Sequence, residues 1–300
     1  MSEIDPSYVL ILRDALSNFC REASVFISEQ GVEAKPNSKA ETEHTTYANP
    51  ESILNAWSAA QILIEFTGDH VSAFVKLLDP TKPIEVSAVW TTVRSTFENS
   101  GLASWLLDPT ITPKERSGRM LALRYEGIEE QIKYARVMDD DAANIAAMEA
   151  RLDEIEQGAI NEGFARREKD GKRTGVAVPM PGATKIIRDI HDEEGNYRLL
   201  SAVAHGHFWA LKNLNFIPAS APDVTISGVD MHALQKHVYV DAITVFGTSV
   251  MQCFARPLWN QCRYFGWNEN GLEELFEKVA DRMGLNNPLR FWRPAENRKS

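Results

Sequence analysis

Apolar residues recur at intervals of three and four along almost the whole chain, the spacing that gathers them on one face of an α-helix. Tyr8, Leu12, Leu16, Phe19, Phe26 and Ile27 predict a first amphipathic helix over 6–30. Polar residues then fill 31–49, which predicts a mobile linker. Pro50 opens a second helix whose apolar face is Ile53, Trp57, Ala60, Ile64, Val71, Val75 and Leu78, and Asp79-Pro80 stops it. A third helix is predicted from about 84 to Leu107. The fourth starts on a capping box, Thr112-Pro113-Lys114-Glu115, and runs to about Val137. Asp139-Asp140-Asp141 opens a fifth, with Ile145, Met148, Leu152 and Ile155 in a 3-4-3 pattern.

The helical spacing lapses over 166–182, where Asp170-Gly171 between charged and β-branched residues predicts a small exposed hairpin. Further helices are expected over 183–191 and 195–213, followed by a loop at 214–229. A long helix over 229–265, kinked at Pro257, and a last one over 268–283 precede a basic tail from 286 to 300. The pattern predicts an all-α, multi-helix bundle with an exposed basic insertion. Its organisation would be an N-terminal helix over 1–30, a linker over 31–49 and a bundle over 50–285 that carries the insertion at about 139–182.

Composition adds limits. Of 300 residues, 44% are hydrophobic and 25% charged, which is globular usage and excludes a disordered or fibrous chain. No apolar run reaches the roughly 18–20 residues of a membrane helix, so no membrane partner is expected. The N-terminus lacks the pattern of a secretory signal, and Cys20, Cys253 and Cys262 are odd in number and lack CxxC spacing. Both features predict a cytoplasmic protein without a disulfide framework. The net charge of −10 is uneven: residues 1–165 hold 14 Lys and Arg against 27 Asp and Glu, and residues 166–300 hold 18 against 15. A polyanion could therefore be attracted only locally, in the second half.

Candidate chemistry is concentrated in Tyr197-Arg198-Leu199-Leu200-Ser201-Ala202-Val203-Ala204-His205-Gly206-His207. On one continuous helix, Arg198, Ser201, His205 and Lys212 would form a polar stripe, while His207 would project with the apolar side as a core histidine. An imidazole can move a proton near neutral pH and a guanidinium can grip a phosphate through two bonds. Arg94 and Glu98, four apart beside aromatic residues, predict a pair that either lines a pocket or fixes helix register. Glu65, Asp69 and His70 lack the repeated Glu-x-x-His of a di-metal bundle, and His232 and His237 cannot easily share a ligand from one helix face. Neither a metal nor a cofactor is expected. Trp259, Tyr264, Phe265, Trp267, Phe291 and Trp292 alternate with Arg256, Arg263, Arg290 and Arg293, an interleaving that suits either a core with a charged rim or base stacking.

Arg198, six intervening residues and His205, late in an all-α chain, resemble the Arg-x(4–6)-His motif of the HEPN superfamily. The residue after the arginine, usually polar in that family, is Leu199 here. The resemblance implies a metal-independent endoribonuclease of toxin or phage-defence type. Arg198 would hold the phosphate, and His205 would assist attack by the ribose 2′-hydroxyl. In this chain the resemblance implicates only Arg198 and His205, with two copies forming a homodimer and RNA as the partner; Ser201 and Lys212 of the stripe and the Arg94–Glu98 pair are candidate supporting residues from their spacing alone. Other members of the superfamily bind without catalysis, so a non-catalytic helical interaction protein is the alternative. Trp90, Arg94 and Glu98, the Trp105-Leu106-Leu107-Asp108-Pro109 end and residues 197–205 are also similar to a group of uncharacterised bacterial all-helical proteins, a likeness that implies no activity.

Overall fold

In a computed structural model, the structure describes residues 7–31, 33–218, 224–226, 229–231, 234–236 and 239–282. The described residues form an all-α bundle of eleven helices with three small two-stranded antiparallel sheets. The central helix α10 (Val240–Phe265) is buried over most of its length. Around it pack α1 (Ser7–Gln30), α3 (Pro50–Leu77), α4 (Val86–Leu106) and α11 (Glu269–Arg282). Phe19, Phe74, Trp90, Phe97, Phe254, Trp259 and Phe276 fill the space between them. The predicted starts have a local cause: Asn49 accepts a hydrogen bond from the Ser52 N–H ahead of α3, and Thr112 accepts one from the Glu115 N–H ahead of α5 (Pro113–Val137).

Part of the segment expected as a linker is helical. Ser38 caps a short helix, α2 (Lys39–Thr46), whose Glu43 points inward. Glu43 meets a fully buried Arg116 from α5, Nε to Oε2, at 2.8 Å. The same guanidinium donates to the main-chain oxygens of Leu106 and Asp108, and it lies 3.8 Å from the centre of the Tyr264 ring. Tyr264 Oη donates to Glu43 at 2.6 Å and accepts from Trp57 Nε1 at 2.9 Å. One ion pair thus joins α2, α3, α5, α10 and the end of α4, and burial of both charges makes their pairing obligatory.

The insertion has a small core of its own. Helix α6 (Ala142–Asn161) lies against α5, where Leu121, Tyr125, Ile128, Ile132, Ile155 and Ala159 pack with Val176 of the hairpin. Strands β1 (Arg166–Lys169) and β2 (Lys172–Val176) are joined through Asp170 at φ 54° and Gly171 at φ 71°, the paired positive angles of a type I′ turn. The insertion's basic residues are partly neutralised from α6: Arg166 pairs with Glu156, and Arg173 reaches Asp153 at 2.6 Å and Glu156 at 3.1 Å.

Two further expectations are corrected. The predicted helix over 195–213 is two helices, α8 (Glu194–Ala204) and α9 (Phe208–Asn215). The stretch expected as a loop and a helix start holds short strands instead: β3 (Phe216–Pro218) pairs with β6 (Leu234–Lys236), and β4 (Val224–Ile226) with β5 (Val229–Met231). Helix α10 begins only at Val240. His232, His237 and the basic tail from 286 lie outside the described residues. Among the described residues no helix is long and apolar enough to cross a membrane.

Candidate functional site

Helix α8 turns Tyr197, Leu200 and Val203 into the core and leaves Arg198 and His205 in solvent. Its first residue bonds are made by the residue that precedes it. Glu193 accepts from Ser249 Oγ of α10 at 2.8 Å and from Asn196 Nδ2 at 2.6 Å, which fixes the start of α8 on the bundle. Arg198 is 66% exposed and reaches back one turn to Glu194 at 2.8 Å.

The helix ends in a Schellman turn. His205 is the C-cap, Gly206 follows at φ 71°, the Gly206 N–H bonds to Val203 O at 3.0 Å, and the His207 N–H bonds to Ala202 O at 2.9 Å. This left-handed glycine breaks the continuous stripe expected from the sequence. Arg198, Ser201 and His205 stay together on α8, with Ser201 half-buried, whereas Lys212 belongs to α9. His207 is not a core residue: it is exposed, because the reversal at Gly206 takes it off the helix wheel. Beyond it Phe208 and Trp209 are 67% and 54% exposed, while Ala210 and Leu214 anchor α9 inward. The aromatic step after the turn carries no helical periodicity, and sequence spacing missed it as a surface feature.

Arg94 and Glu98 sit on the inner side of α8. Arg94 Nε donates to Glu98 Oε1 at 3.0 Å, with the two side chains 23% and 33% exposed. Tyr197 Oη donates to the same oxygen at 2.7 Å, and Arg94 lies 5.9 Å from the Tyr197 ring centre. Burial, then the hydrogen bond to Glu98, pushes the Tyr197 phenol up to about 12. Burial works against the Arg94 charge, but Glu98 and Tyr197 outweigh it and the guanidinium is held above its ordinary value. The trio fixes α4 to α8. It does not join Arg198 and His205 on the outer face. Glu98→Ala is expected to cost about 1–3 kcal/mol, because both Tyr197 and Arg94 lose a charged acceptor. Urea unfolding measures this, and a change below about 0.5 kcal/mol would make the pair a solvated flank.

Behind the turn that precedes α8, Ser100 Oγ and His191 Nε2 share a hydrogen bond of 3.1 Å. Burial first and the Arg256 charge second push the His191 pKa down to about 3. The folded protein therefore holds this imidazole neutral where the unfolded chain would take up a proton. The resulting stability is fully present above about pH 6.5 and is lost as the pH falls toward 3. Unfolding free energies at pH 7 and pH 5 are expected to differ with a slope approaching about 1.4 kcal/mol per pH unit below 6.5. The slope should flatten in His191→Gln, and an unchanged slope in that variant would assign it to other groups.

Trp259, Tyr264, Phe265 and Trp267 are core residues, and Arg263 lies 5.6 Å from the Trp259 ring while pairing with Glu269. They offer no stacking surface. Phe291, Trp292, Arg290 and Arg293 lie outside the described residues. Among the described residues no three His, Cys, Asp or Glu side chains converge to hold a metal ion. Comparison with family models, curated proteins and solved structures finds no match to this chain.

Proposed function

We propose that the outer face of α8 is the working site of a HEPN-like, metal-independent endoribonuclease. In this reading Arg198 binds the scissile phosphate, His205 moves the proton, RNA is the substrate and a second copy of the chain completes the site. The observation that supports it is exposure: both side chains stand in solvent, and the fold uses neither as core. His205, with no hydrogen bond to another described side chain, is open to a substrate. Phe208 and Trp209 give the neighbouring surface the apolar character that a partner copy would cover.

The alternative is a helical interaction protein without catalysis. Its support is the Arg198–Glu194 pair at 2.8 Å, which occupies the arginine in the free chain, together with the same exposed aromatics. Incubation of single-stranded RNA with wild type and His205→Ala, with EDTA present, separates the two. Cleavage by wild type alone supports the nuclease. Cleavage by both or by neither transfers the site to the interaction reading.

A further inference from the structure

A groove of about 670 Å³ lies between α2, α3 and the end of α10, remote in sequence from the α8 face. The half-buried rings of His44 and Trp57 line it, with the buried Phe265 ring packed behind the indole. Trp57 stands 5.6 Å from His44 and 5.1 Å from Phe265, centre to centre, and the Trp57 bond to Tyr264 fixes the indole. Exposed Leu54 and Ile62 of α3 extend the apolar wall to the mouth. The opposite wall is held in place by main-chain bonds to the bundle: Lys35 N–H to Phe265 O at 2.9 Å, and Trp267 Nε1 to Glu33 O at 3.4 Å. Among the described residues, the formal charges on the lining are both negative, Glu33 and Glu41, and neither Lys nor Arg lines the groove.

Its volume is that of a site for a small organic molecule. Aromatic faces attract a cation through their quadrupole, and carboxylates add Coulomb attraction where bulk water is reduced. Among the described residues an anion would meet only negative lining charges, and a neutral molecule would gain nothing from the carboxylates. We infer that this groove binds an amphiphilic organic cation, an ammonium head between the Trp57 indole and the carboxylates with an apolar body along Leu54 and Ile62. The inference is independent of the α8 reading, since no residue is shared.

Calorimetric titration at pH 7 with 4-phenylbutan-1-amine, against its uncharged counterpart 4-phenylbutan-1-ol, tests it. The amine is expected to bind saturably and about tenfold more tightly than the alcohol. Glu33→Lys reverses an exposed charge and should weaken the amine about tenfold or more while leaving the alcohol within about threefold. Leu54→Arg, which places a cation at the mouth, should also weaken the amine, and circular dichroism checks that both variants are folded. Equal affinity for amine and alcohol, absence of saturable amine binding, or amine affinity unaltered in both variants would overturn the inference.

Discussion

Arg116→Ala is expected to lower the unfolding free energy by about 3–5 kcal/mol, the cost of leaving a buried charge without its partner. Glu43 would keep its carboxylate inside the bundle with Lys39 Nζ at 3.7 Å as the remaining cation. Two main-chain oxygens at the end of α4 would lose their donor, and the Tyr264 ring would lose the guanidinium stacked on it. A fall in melting temperature on the order of 10 °C follows for a chain of this size. Arg116→Met with Glu43→Gln removes both charges while retaining volume, so it should recover part of the loss. A shift under about 2 °C for Arg116→Ala would mean that water or a rearranged lysine satisfies Glu43.

On the proposed nuclease reading, His205→Ala is expected to reduce RNA cleavage by about 10²- to 10⁴-fold, the range a positioned acid or base contributes. Because the ring is exposed at a helix C-cap, stability should change by no more than about 0.5 kcal/mol, and lost cleavage then cannot be attributed to unfolding. Arg198 supplies the companion test. A phosphate must displace Glu194 to reach it, so Glu194→Gln should tighten RNA binding, whereas Arg198→Lys should weaken it by losing the two-pronged grip. Wild type and His205→Ala cleaving RNA at the same rate would remove His205 from the chemistry.

The all-α architecture was legible because its signals are local: the Thr112 and Asn49 caps, the Pro50 and Pro113 starts and the 3-4 spacing each act within one or two turns. The Asp170-Gly171 turn was legible for the same reason. Helix α2 was not. Only Ala40 and Glu43 of its eight residues are buried, and a buried glutamate looks like a surface residue until Arg116, 73 positions later, comes to meet it. The break in α8 was present as Gly206, but a glycine inside an otherwise helical pattern is ambiguous without the two hydrogen bonds that close the turn. Arg198 and His205 were legible as residues with suitable chemistry. Their exposure, and the aromatic pair beyond them, depend on where the bundle surface ends, which spacing along one helix does not encode.

The separate core of the insertion divides α5 between two bodies. Its start, with Arg116 and Ser117, is locked into the main bundle, while Ile128 and Ile132, about three to four turns further on, are covered by α6. Opening of the α6 arm would strip the far half of α5 of its packing without disturbing Arg116. Amide protons of one continuous helix therefore fall under two protection regimes, one set by global unfolding and the other by the lesser free energy of releasing the arm.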